Sequence, residues 1–170
     1  MLYQNSDSNF IFVLNGYLRD QKDRDFYNQD PTAEKHFLQG SFSYTEKEPV
    51  FPDEKFWATT FHEDDYLFFI RNLESLLEGN LAEFEVEFDI YDLIDFEVSE
   101  ELIDVASGFL KLRFKKTSSI SFQLHIESCE GFDEYGLCEK VPSTTYHFLH
   151  DELRINIDHL REIYQNLCSQ

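Results

Sequence analysis

Basic residues are scarce in this chain. Fourteen Lys and Arg stand against 34 Asp and Glu, a formal net charge of -20 over 170 residues. Phosphate binding needs clustered Lys and Arg, so free nucleic acid is not an expected partner, and an anionic membrane surface is disfavoured for the same reason. Cysteine is scarce too. Cys129, Cys138 and Cys168 make an odd set with no framework spacing, which argues against a disulfide scaffold and for a reducing cytoplasm. Six glycines leave little material for a phosphate-cradling loop. The motifs G-x-G-x-x-G, G-x-S-x-G, H-E-x-x-H and the phosphate loop are all missing. No run approaches the roughly 18 consecutive apolar residues of a membrane span. The N-terminal stretch has no basic leader, and its apolar segment over 10–14 is short for a signal peptide.

What is abundant is aromatic. Eighteen Phe, nine Tyr and one Trp supply large buried area per residue and favour strands, enough to build a core and order most of the chain. The length suits one domain over 1–170, with 19–35 and 128–143 read as loops. Residues 10–18 are mostly apolar and predict a strand, as do 36–44 and 56–61. Pro49 and Pro52 mark a connection between the last two, because proline removes ladder donors.

Two helices are legible. Over 63–79, Tyr66, Phe69, Ile70, Leu73, Leu76 and Leu77 follow the spacing of one buried face. Glu63, Asp64 and Asp65 sit where the helix dipole favours negative charge, and Gly79 is placed to stop the helix. Over 151–167, Leu153, Ile157, Leu160, Tyr164 and Leu167 share a second apolar face.

The clearest pattern lies between them. From 83 to 90 the alternation is unbroken: Glu83, Glu85, Glu87 and Asp89 point one way, and Phe84, Val86, Phe88 and Ile90 the other. The phase resumes with Asp95 and Glu97 opposed to Ile94, Phe96 and Val98. Residues 99–108 suit a turn or short helix. A second run puts Leu110, Leu112 and Phe114 inward and Lys111, Arg113 and Lys115 outward. A third puts Ile120, Phe122, Leu124 and Ile126 inward, with His125 and Glu127 outward. A short strand is expected over 144–149. The whole is an α+β domain, an antiparallel meander with two amphipathic helices packed on one face.

No residue set selects a catalytic reaction or a cofactor. His147 and His150 are three apart beside Asp151, but the seam between a strand and the last helix should separate them. Cys129, Cys138 and His125 match no zinc spacing. A Cys129–His125 nucleophile pair is disfavoured, since in a strand they stand about 13 Å apart along the chain. Paired carboxylates are too numerous to single out a glycosidase-type pair.

The expected function is therefore binding. Between 83 and 104 there are ten acids and no Lys or Arg. Glu83, Glu85, Glu87, Asp89, Asp95 and Glu97 form a candidate docking face for a basic protein. Its bland counterpart is a solvated outer face partly neutralised by Lys111, Arg113 and Lys115. The segment Phe132, Asp133, Glu134 and Tyr135, with aromatics flanking acids, is a second candidate contact; its bland counterpart is a loop tucking Phe132 into the core.

The order of elements resembles the bacterial immunity proteins of polymorphic toxin systems, the WapI-type immunity family in particular. The resemblance is carried by a Trp-containing strand, KFWATTF, followed by the helix YLFFIRNLESLL. The acidic strand EFEVEFDI comes next, then the strands GFLKLRF and SISFQLHIE and the closing helix ELRINIDHLREIYQNL. It implies a cytoplasmic, non-enzymatic protein without a cofactor that binds and neutralises one cognate toxin. A small enzyme with a carboxylate or His site, and a homodimeric adaptor joined through a sheet edge, are the alternatives.

Overall fold

A computed structural model describes residues 2–4, 8–17, 37–46, 54–92, 108–132 and 138–169. Among the described residues, eight strands follow one another in space as in sequence: β1 (Leu2–Gln4), β2 (Ser8–Tyr17), β3 (Phe37–Glu46), β4 (Glu54–His62), β5 (Glu83–Asp92), β6 (Gly108–Lys116), β7 (Ser121–Phe132) and β8 (Cys138–Leu149). Every neighbouring pair is antiparallel. Helix α1 (Glu63–Glu78) joins β4 to β5, and α2 (His150–Cys168) follows β8. The α+β meander expected from the alternation is the architecture observed.

The meander divides at its middle. Among the described residues, Trp57↔Asp92 and Ala58↔Tyr91 pair β4 with β5. The buried Thr59 hydroxyl adds a hydrogen bond to the Asp89 carbonyl at 2.8 Å. The first strand returns against the last: the Tyr3 ring lies 4.6 Å from that of Phe148. Ser8 and Tyr146, far apart in sequence, share a buried hydroxyl–hydroxyl hydrogen bond of 2.8 Å. Burial pushes the Tyr146 phenol up to about 12, because a phenolate there would lose its hydration.

The core is aromatic at its centre. Phe114 stacks on Phe84 at 5.1 Å and meets Phe69 at 5.9 Å and Tyr3 at 6.3 Å. Phe69 of α1 also approaches Phe88 edge-on at 5.9 Å. Leu153, Ile157 and Leu160 of α2 enter the same cluster. These are the inward residues of the period-2 and helical patterns, so both helices cover the apolar face of the meander.

The helix ends follow local chemistry. His62 Nδ1 accepts from the Asp64 amide at 3.2 Å to cap α1. Gly79 takes φ 84° at the other end, with its amide bonded to the Leu76 carbonyl at 3.2 Å and the Asn80 amide to Ser75 at 2.8 Å. That left-handed stop suits glycine. At the start of α2 the Glu152 carboxylate accepts from the Leu149 amide at 2.6 Å, and the His150 amide bonds the Ile120 carbonyl at 2.9 Å. The two helices join through the Tyr66 hydroxyl, which donates to the Leu160 carbonyl at 2.9 Å. The pairs Arg161–Glu74 and Tyr164–Glu63 reinforce that contact.

Two expectations are corrected, and one element escaped the sequence reading. Residues 128–143 are not all loop: β7 runs on to Phe132 and β8 starts at Cys138. The pairing there shifts register between Ile126 and Ser128 and again between Cys129 and Phe132. Each shift breaks the alternation, and consecutive Ser128 and Cys129 are both buried. The three-residue β1 is too short for any periodicity to reveal. Cysteine count and spacing argue against a disulfide scaffold, yet Cys129 is disulfide-bonded. Spacing along the chain does not show that the β7–β8 hairpin brings the region of 129–132 beside 138–140. Cys168 carries an exposed thiol.

The predicted loop over 19–35 lies outside the described residues, as do the predicted connection over 45–53 and the turn or short helix over 99–108 except where β3 runs on to Glu46 and β6 begins at Gly108.

Candidate binding surface

The acidic ladder of β5 faces outward as the alternation requires. Glu83, Glu85, Glu87 and Asp89 are all exposed. Register then places the basic strand beside it rung for rung: Glu83↔Lys115, Glu85↔Arg113 and Glu87↔Lys111. Arg113 donates to Glu85 Oε2 through Nε at 2.9 Å and through an Nη at 2.6 Å. Lys111 Nζ sits 3.3 Å from Glu87 and 3.6 Å from Glu85. The hydrogen bond from Arg113, helped by the field of Lys111, holds the Glu85 carboxyl below its ordinary value. The same contacts raise Lys111 and Arg113. Only the Asp89 rung lacks an opposing cation, since Phe109 stands across from it.

Of the other sequence-predicted contacts, Asp95, Glu97, Asp133, Glu134 and Tyr135 lie outside the described residues, and Phe132 is placed only as the backbone end of β7. The structure therefore brings Glu83, Glu85, Glu87 and Asp89 into one row and ties that row to its basic neighbour.

Beyond the basic strand, His125 stands opposite Arg113 on one side and Thr145 on the other. Its Nδ1 is 2.9 Å from the Thr145 hydroxyl and its Nε2 is 3.3 Å from Glu127. Hydroxyl, imidazole and carboxylate are the parts of a nucleophile, its base and an orienting group. Here they lie in a row across adjacent strands, on the outer face, and act as a cross-strand tether. Sequence reasoning missed the Thr145 contact, because nothing local gives the β7–β8 register. Cys129 does not join His125 as a nucleophile: it is fully buried and disulfide-bonded. His147 is exposed on β8 while His150 opens α2. Among the described residues no group of three or more His, Cys, Asp or Glu is arranged to hold a metal ion. No helix among them is long and apolar enough to cross a membrane.

A second surface was not anticipated. Among the described residues β1 pairs with β2 over residues 9–11, and α2 packs against β2. Between them runs a groove of about 290 Å³, lined by Ile11, Phe12, Val13, Ile155, Asn156, His159 and Ile163. Ile11, Val13 and Ile155 are large apolar residues left 37%, 43% and 67% exposed. In sequence, Ile155, His159 and Ile163 form an i, i+4, i+8 stripe beside the buried one. A polar His and the flanking charges hid it.

No family model matches the chain, and no curated protein and no solved structure is found to be similar to it.

Proposed function

We propose that this protein is a binding protein that captures a basic partner, and specifically a cytoplasmic immunity protein that neutralises a cognate toxin domain. The observation that carries the reading is the charge: 34 acids against 14 cations leave at least 20 carboxylates with no internal counter-ion. Such a field raises the encounter rate with a basic protein and repels nucleic acid and like-charged surfaces. The rung pairing on β5 means that this surplus is not spread evenly. The ladder is largely self-neutralised up to Glu87, and Asp89 is its open end.

The toxin-neutralising role and the cytoplasmic location rest on the resemblance in the order of strands and helices. The disulfide at Cys129 removes the cysteine count as support for a reducing compartment. The test is affinity capture with the tagged protein at low and at moderate salt. One stoichiometric basic partner, retained at moderate salt and inactivated on binding, is the expected result. Recovery of only assorted basic proteins that wash off as salt rises sinks the reading.

A further inference from the structure

We infer that the groove between β2 and α2 is the anchoring site for the basic partner, and that it takes one large apolar side chain flanked by Lys or Arg. The inference rests on the binding role proposed above and names the surface that performs it. Three observations converge. The groove is mostly apolar, with Asn156 and His159 the polar residues of its lining, and at about 290 Å³ it has room for one Leu, Ile, Phe or Met side chain. Its walls include Ile155, Ile11 and Val13, which no described element covers. A recessed apolar anchor surrounded by polar residues is the form that interface hot spots take.

The rim decides the occupant. Asp158 and Glu162 lie three and seven residues after Ile155, on the solvent side of the stripe formed by Ile155, His159 and Ile163. Both are exposed, and neither makes an ion pair with a described residue. They differ in this from Glu85 and Glu87, whose charges are already matched by Arg113 and Lys111. On the β2 side, Ile11 and Val13 stand across from Ser43 and Ser41 on β3, which add no cation. A second copy of this chain would bring a net charge of -20 against the same rim. A basic segment instead gains two unmatched carboxylates while its apolar side chain leaves water.

The experiment uses the full chain and three short synthetic peptides: lysine-rich with one central leucine, the same with serine for leucine, and a glutamate-rich peptide keeping the leucine. Binding is read by fluorescence anisotropy at near-physiological salt. The expected order is lysine–leucine tightest, by about tenfold over the serine peptide, the scale set by burying one leucine side chain, with the glutamate-rich peptide also weaker because its charge repels the rim. Ile155→Ser should erase the preference for leucine. Asp158→Asn with Glu162→Gln should erase the preference for lysine. Glu78→Gln, exposed at the end of α1, should change neither. Ile155 is exposed, so its replacement leaves the fold intact, and an unchanged circular dichroism melt confirms that. If lysine peptides bind but Ile155→Ser leaves the leucine preference unchanged, the groove is not the site. Concentration-dependent dimers abolished by Ile155→Ser would overturn it in favour of a second copy. If no lysine peptide binds at all, the basic-partner reading itself fails along with the groove.

Discussion

Phe114 sits where rings from four other elements meet, and replacing it with Ala should cost about 3–5 kcal/mol. The side chain is fully buried on β6 and its ring contacts come from four elements: Phe84 of β5, Phe69 of α1, Phe148 of β8 and Tyr3 of β1. Removing the ring forfeits its transfer out of water, about 1.5–3 kcal/mol. The stacked partner Phe84 and the edge contacts add about 0.5–1.5 kcal/mol for the best pair. The rest is the cavity, which cannot collapse easily because its walls are rings on separate elements. For a chain of this size that loss lowers the melting temperature by about 6–20 °C. Urea denaturation followed by tryptophan fluorescence and far-ultraviolet circular dichroism would measure it, with the slope expected to stay constant. Lys115→Ala, the adjacent outward residue, is the control and should change stability by less than about 0.5 kcal/mol. A Phe114→Ala cost under about 1 kcal/mol, or equal to the control, would refute the placement of this ring at the meeting point of the two halves.

Other expectations follow from single contacts. Gly79→Ala should destabilise by about 1 kcal/mol, because Gly79 takes φ 84° and a Cβ there would stand 3.0 Å from Lys116 Nζ; chemical denaturation measures it, and no change would discount the left-handed cap. Glu85 is held below its ordinary value, so its contribution to stability is present above the unfolded carboxyl value and is lost as pH falls through the lowered one. Arg113→Gln should move the Glu85 titration, followed by carboxyl carbon NMR, back up toward the ordinary value, and an unmoved titration would remove the Arg113 bond as the cause. Reducing the disulfide at Cys129 should lower stability by about 2–4 kcal/mol, and iodoacetamide should label Cys168 in the native protein but Cys129 only after reduction.

The strand and helix periods were legible without any tertiary knowledge. Glu83 to Ile90 and Leu110 to Phe114 announce their faces because a strand turns its side chains over every second residue. Tyr66, Phe69, Ile70 and Leu73 do so because a helix repeats every 3.6 residues or so. The acidic row and the basic row were each visible, as was the left-handed stop at Gly79. Where the signal failed, a local rule had been suspended. The register shifts between Ile126 and Phe132 scrambled the alternation, and a stretch of β7 and β8 passed for loop.

What the chain alone determined is therefore the content of each element and the side it buries, since those depend on neighbours a few residues away. Tertiary structure decided what meets across the elements. It set Arg113 against Glu85 rather than Glu83, brought Tyr3 back onto Phe148, put the Cys129 region beside the start of β8, and laid α2 beside β2 to open a groove at Ile11 and Val13. Each is a contact between residues 11 to over 140 positions apart, the shortest being Cys129↔Lys140. Such contacts are chosen by the packing of the whole aromatic core, and no short-range period encodes them.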